Sequence, residues 1–273
     1  MRILFFGDVF GRSGRDGLAK HLPEVRRKLH PDAIVVNAEN SAGGDGVTLK
    51  LAKEFFDMGI DCLTTGNHVW GQRELLGTID QEPRILRPHN YPEGTPGRGV
   101  YVHNLPDGRK LLVVNIMARM FMNPILDDPF ACIEKALGQY RLGASVQAIL
   151  FDFHGEVSSE KNAMGHVCDG RVSAVLGTHT HVPSADARIL PHGTAYQTDV
   201  GMCGDYAGII GVKKEIALWR FTHATPGERM VPAEGEATIC GAMVVTDDKT
   251  GLAKSITSLH IGGVLDKGIP EVD

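Results

Sequence analysis

No two of the five cysteines (Cys62, Cys132, Cys168, Cys203 and Cys240) stand in a Cys-x-x-Cys spacing. That argues against a zinc knuckle or a disulfide frame and reads as reduced thiols in a cytosolic protein. Long apolar runs are missing as well. The first one, residues 3–6, is closed by Gly7 and Asp8, far short of a signal-peptide core or of the ~18 residues of a membrane span. Nor is there a surplus of positive charge: 28 basic residues face 33 acidic ones, for a formal net charge of −5. A protein that tracks duplex nucleic acid would be basic. Repeats, low-complexity stretches and linkers are also absent. The expectation is one domain over residues 1–273 in a soluble, cytoplasmic chain without a membrane partner, long enough to bury a sizeable core.

What is present is an alternation of short apolar runs and amphipathic stretches. Arg2-Ile3-Leu4-Phe5-Phe6 reads as a buried strand, and Ser13 is a plausible cap for a helix carrying Leu18, Leu22, Val25 and Leu29. Residues 33–37 form a second strand. Thr48 can cap a helix with Leu49, Ala52, Phe55 and Phe56, and residues 62–65 form a third strand. This is the start of a βαβ sheet. An edge strand is expected at 84–86. A hairpin is expected around Pro106-Asp107-Gly108, between residues 100–102 and 111–115. The Met-rich stretch 117–130 suits a lid, an insertion or an oligomer contact. Further strands are read at 148–153, 187–190, 194–199, 239–245 and 255–259, with helices at 132–140, 160–168 and 213–221.

The ends of the strands carry the chemistry. His179 and His181, in Gly177-Thr178-His179-Thr180-His181, lie on one side of an extended backbone because side chains alternate with period two. Other strand ends bring Asp8, Glu39-Asn40, Asn67-His68 and His154. In an open α/β sheet these ends share a crevice. Each residue has a simpler local reading: Asp8 as a helix cap, Asn40 and Asn67 as turn formers, His154 as a satisfied core histidine. Those readings would all have to hold at once. Carboxylates, amides and imidazoles gathered in one place are ligands for divalent metals, with donors enough for two ions about 3.5–4 Å apart sharing a carboxylate.

Gly7-Asp8, Glu39-Asn40, Gly66-Asn67-His68, His154-Gly155-Glu156 and the His-x-His segment resemble, in order, the motifs of the calcineurin-like metallophosphoesterase superfamily. The run from Gly7 to Arg15 and Asn37-Ala38-Glu39-Asn40 resemble its bacterial YmdB-like branch. Phe10 stands where the wider superfamily has a histidine, and Glu39 where it has an aspartate; the branch shares both changes. The resemblance implies layered, mixed sheets flanked by helices, with a metal site at strand C-terminal ends. It also implies a first metal on Asp8, Glu39, Asn40 and His181, and a second on Glu39, Asn67, His154 and His179. His68 is left over and suits a general acid. The ions implied are iron or manganese, with zinc compatible. The implied activity is hydrolysis of 2′,3′-cyclic nucleotides such as 2′,3′-cAMP by a metal-bridging hydroxide.

Three other readings stay open: a phosphomonoesterase or nucleotidase on the same site, a regulatory nucleotide- or RNA-binding protein with weak catalysis, and a TIM-barrel metallohydrolase. In the last of these the His-x-His pair opens the chain, whereas here it comes late. Arg12 and Arg15, in a glycine-rich turn that is neither a Walker A loop nor a G-x-G-x-x-G fingerprint, are candidates for phosphate contact or simply solvated. The expected partners are a small cyclic nucleotide, further copies of the chain in a homo-oligomer, and an RNA-related process.

Overall fold

The computed structural model describes residues 1–272. In chain order the strands and helices are β1 Arg2–Phe6, β2 Asp8–Val9, α1 Gly11–Leu29, β3 Ala33–Asn37, α2 Leu49–Asp57, β4 Cys62–Thr64 and α3 Arg73–Leu76. Then follow β5 Val100–Asn104, β6 Lys110–Met117, α4 Pro129–Leu137, β7 Ala148–His154, α5 Ser158–Cys168, β8 Ala174–Thr178, β9 Arg188–Ile189, β10 Ala195–Gln197 and β11 Met202–Gly204. Helix α6 (Lys214–Thr222) and strands β12 (Thr238–Thr246) and β13 (Ala253–Ile261) complete the chain.

The strands form two sheets. One has the order β2-β11-β12-β1-β3-β4, with β13 on the free side of β12; the other runs β5-β6-β7-β8-β10-β9. β1, β3 and β4 are parallel, as are β6, β7, β8 and β10, while β12 runs antiparallel to β1.

Period-two alternation explains why β1 can be apolar throughout. Ile3 and Phe5 join Val35, Cys62, Leu111, Val113, Leu150 and Leu176 in a core shared by both sheets. Leu4 and Phe6 face the other way, onto Leu18, Leu22 and Val25 of α1. On the far side, Leu112, Val114, Phe151 and Val175 pack with Ile133 of α4 and Met164 of α5. The result is helix, sheet, sheet, helix: the layered sandwich with mixed strands implied by the sequence, and not an eightfold barrel.

Several local expectations change. Helix α1 starts at Gly11 with Phe10 in the cap position, and Ser13 donates its hydroxyl to the Gly235 carbonyl at 2.7 Å instead of capping. A tighter packing demand decides this: a Cβ at Gly14 would overlap the Cys203 carbonyl, so the helix lies directly on β11. Thr48 does cap α2, accepting from the Leu51 N–H at 3.1 Å. Residues 84–86 make only isolated bridges, Leu63 to Ile85 and Leu86 to Arg98. The expected hairpin forms between β5 and β6, with Tyr101 opposite Val113, and all five cysteines are free. No helix among the described residues is long and apolar enough to cross a membrane.

Candidate metal centre

The candidate ligands come from both sheets. The open α/β crevice assumed from sequence has one sheet, but here strand ends of two sheets meet. Asp8 opens β2, Glu39 and Asn40 follow β3, and Asn67 and His68 follow β4, all in the first sheet. His154 ends β7, and His179 and His181 follow β8, in the second. Asp8, Glu39, Asn40 and His154 are all buried, at 0%, 1%, 2% and 0% exposure. Four strong polar groups are tolerated at such depth only if something satisfies them.

His154 Nε2 is the point of convergence. It lies 2.9 Å from Asn67 Oδ1, 3.1 Å from His179 Nδ1 and 3.2 Å from Glu39 Oε1. Glu39, His154 and His179 can offer ligand atoms all within 4.8 Å of one another. The hydrogen-bond network also assigns the imidazole's tautomer. Asp152 Oδ1 accepts the Thr178 hydroxyl proton at 2.7 Å, so the Thr178 oxygen accepts from His154 Nδ1 at 2.9 Å. Asn37 Nδ2 holds Asp152 from the other side at 3.0 Å. Nδ1 therefore carries a proton, and Nε2 is the ring atom that faces Glu39, Asn67 and His179. This is the orientation a metal-ligating histidine takes from its outer partners.

The second half of the set is looser. Asp8 Oδ1, Asn40 Oδ1 and Glu39 Oε1 are buried and lack a properly aligned hydrogen-bond partner. Asp8 Oδ2 accepts from the His179 N–H at 3.1 Å, which ties the first sheet to the second. His181 turns Nδ1 to the Ile210 carbonyl at 2.9 Å, leaving Nε2 available, and its ring packs edge-on against Phe10 at 5.3 Å. Phe10 thus supports a neighbouring histidine from the position where the wider superfamily has one.

These orphaned oxygens and the aimed imidazole fit divalent cations. Charge points the same way. Burial pushes Asp8 above the usual carboxylate range. Burial also opposes ionisation of Glu39, but His154 and His68 outweigh it and bring it down to about 2. Burial disfavours a charge on His154, yet Glu39, Asp8 and Asp152 raise it to about 9, while burial and the His154 charge push His179 down to about 3. One proton thus sits among several acceptors, in the place a cation would take.

His68 lies at the rim. Its backbone N–H donates to Glu39 Oε2 at 3.1 Å, and its Nδ1 meets Asp45 Oδ1 at 2.9 Å, leaving Nε2 free. A cavity of about 600 Å³ lies over the cluster; its lining includes Glu39, Asn40, His68, His179 and His181, with an apolar wall of Phe10, Ile210, Val212, Met230 and Pro232. The glycine at 66 is required by proximity: a Cβ there would overlap both His154 and Glu39.

Arg12 and Arg15 do not line this cavity. Arg12 is exposed beside Asp16 on the outer face of α1, and Arg15 donates to the Ser41 carbonyl. The arginines that do line it, Arg220 and Arg229, come from a stretch without a recognisable motif. Residues 117–130 also stay outside it: Arg119, Met120 and Ile125 shape a separate cleft with Ser159 and Ala163. Sequence reading also missed Asp45, whose only signal is its glycine loop, and Glu156, whose Oε2 lies 3.3 Å from His179 Nε2.

Two mixed sheets, flanked by helices and carrying a histidine, carboxylate and amide cluster where their strand ends meet, define a metallophosphoesterase-type protein. The family model for YmdB-like proteins matches residues 4–259, and the chain belongs to that family. It is 44% identical over 262 residues to a Bacillus subtilis protein named 2′,3′-cyclic-nucleotide 2′-phosphodiesterase, covering 96% of this chain and 97% of that one. Among solved structures it resembles a Thermus thermophilus protein titled hypothetical (39% identity, TM-score 0.88, covering 97% of this chain and 100% of that one). It also resembles a Mycoplasma pneumoniae protein titled a novel phosphatase (31% identity, TM-score 0.89, covering 98% and 95%).

Proposed function

We propose that this chain is a metal-dependent phosphodiesterase that opens 2′,3′-cyclic nucleotides at the 2′ ester. The observation that carries the reading is the convergence of Glu39, Asn67 and His179 on His154 Nε2, supported by the relative of that name. Asp8, Glu39, Asn40 and His181 would hold one cation, and Glu39, Asn67, His154 and His179 the other, with iron or manganese suiting the mixed N/O donors. When bound, such ions supply Lewis-acid stabilisation of the phosphoryl oxygens and an activated water.

The chain's own residues do the rest. Thr178 and Asp152 fix the His154 ring, and Glu156 holds His179 from outside. His68, oriented by Asp45 through Nδ1, presents Nε2 to the cavity and donates its proton to the departing O2′ alkoxide. The apolar wall accepts the flat base. A phosphomonoesterase would use the same ligands, so the substrate panel decides between them.

The test is turnover of purified, metal-loaded protein on 2′,3′- and 3′,5′-cyclic mononucleotides, a cyclic dinucleotide and a phosphomonoester. The proposal expects 2′,3′-cyclic nucleotides to lead the panel. Monoesters leading would favour a phosphatase, and binding without turnover would favour a regulatory protein.

A further inference from the structure

Two guanidiniums in the cavity have no task in the chemistry above. Arg220, on α6, and Arg229, in the loop after it, line the same space as Asn40, His68 and His181. Arg84, Arg109, Arg171 and Arg188 each meet a carboxylate oxygen. For Arg220 and Arg229 the described residues offer no such ion pair, and both are exposed to the cavity's solvent. A cavity holding two unpaired guanidiniums beside an anion-binding centre suits a ligand with more than one anionic group.

A mononucleoside 2′,3′-cyclic phosphate has only one such group, and the metal centre would take it. The chemistry that makes a 2′,3′-cyclic phosphate supplies a second. An RNA 2′-hydroxyl attacks the adjacent phosphodiester, the O2′–P bond forms, the P–O5′ bond to the next nucleotide breaks, and the released 5′ oxygen takes up a proton. The nucleotide left with the cyclic phosphate is a new 3′ end, and it keeps the phosphate on its own 5′ oxygen.

We propose that Arg220 and Arg229 form a subsite for that 5′-linked phosphate. The preferred substrate is then a nucleotide with a 2′,3′-cyclic phosphate and a phosphate on its 5′ oxygen, supplied by transesterification cleavage of RNA. This rests on the phosphodiesterase reading above. The planar guanidinium fork matches phosphate oxygens in pairs, which a lysine does not. The second phosphate has two sources, a terminal 5′-phosphate or the internucleotide linkage of an oligoribonucleotide.

The experiment compares kcat/KM of the metal-loaded enzyme for three substrates: 2′,3′-cAMP, its 5′-phosphorylated form, and an adenosine dinucleotide ending in a 2′,3′-cyclic phosphate. The wild type and an R220A/R229A variant are measured together. The wild type should favour one or both substrates with a 5′-linked phosphate by about tenfold or more, the size expected of charge-assisted hydrogen bonds. In the double variant the ratio should collapse towards one. Preference for the dinucleotide identifies an RNA end as the source, and preference for the 5′-phosphorylated mononucleotide alone identifies a terminal phosphate. Equal kcat/KM on all three in the wild type overturns the proposal, as does a preference that survives in the variant or an equal loss on all three. If the wild type hydrolyses none of them, the phosphodiesterase reading fails, and the proposal with it.

Discussion

Lys161 Nζ donates to Asp199 Oδ2 at 2.9 Å, and both side chains are almost wholly buried, at 1% and 2% exposure. The pair brackets the His-x-His segment. Lys161 also donates to the Thr178 carbonyl at 2.7 Å, and Asp199 Oδ2 accepts from the Thr180 N–H at 3.0 Å. Between and after these anchors, His179 and His181 sit at φ 104° and 64°, a region that side-chain-bearing residues seldom occupy. Backbone held this way persists only where its surroundings over-determine it.

The first prediction follows from that pair. Lys161→Met or Asp199→Asn strands one polar partner in the interior and should destabilise the fold by about 3–5 kcal/mol. Removing both together should cost less than the sum of the single changes, while metal affinity stays low because the His-x-His backbone is no longer anchored. Chemical denaturation gives the stabilities and metal titration the affinity. Full metal affinity in the double variant would show that the pair does not position the histidines.

His68→Ala should keep metal and lose about 10²–10⁴-fold in turnover on an unactivated ester, the usual worth of a general acid. On an ester with a good leaving group, such as a nitrophenyl phosphodiester, the loss should shrink, because the weakly basic nitrophenolate leaves without a proton. Asp45→Asn should cause a smaller loss of the same pattern, since it orients the ring through Nδ1. Equal losses on both esters would assign His68 another role.

Gly66→Ala should lose bound metal, because the new methyl group overlaps His154 and Glu39. Elemental analysis beside a circular dichroism melt checks this. Metal retained at the wild-type level would mean that the β4 loop yields more easily than its packing indicates.

Asp186 contributes to the acid limb of stability. It is half-buried; burial raises its pKa, but it accepts from the Ser184 hydroxyl and from Thr198 Oγ1 and N–H, at 2.7, 2.6 and 3.0 Å, and these bonds, with Arg188, hold it below the ordinary carboxylate value on balance. A depressed folded pKa stabilises at pH values above the unfolded one and is lost as pH falls through the folded one. Stability should therefore decline from about pH 4 downwards, and Asp186→Asn should flatten that decline. Denaturation curves between pH 5 and pH 2 read the slope directly.

The positions of the cluster residues were legible in the sequence because each ends an apolar run that only a strand explains, as His154 does after Ala148–His154. Pairing between sheets was not legible. β2 and β11 are two and three residues long and carry no periodic signal, yet β11 closes the first sheet against β2 and β12. Partners outside the cluster were equally silent. Asp45 approaches His68, and Asp152 reaches Thr178, only through tertiary packing. The arginines failed for a similar reason: Arg12 follows a suggestive glycine, but its helix turns it outward to Asp16, while Arg220 and Arg229 reach the cavity from an unpatterned segment.

The most direct test is elemental analysis of the purified chain combined with 2′,3′-cAMP turnover before and after chelation. The expected result is on the order of two transition-metal ions per chain, activity abolished by the chelator, and recovery on adding manganese or iron. A metal-free chain that hydrolyses the substrate at the same rate would contradict it.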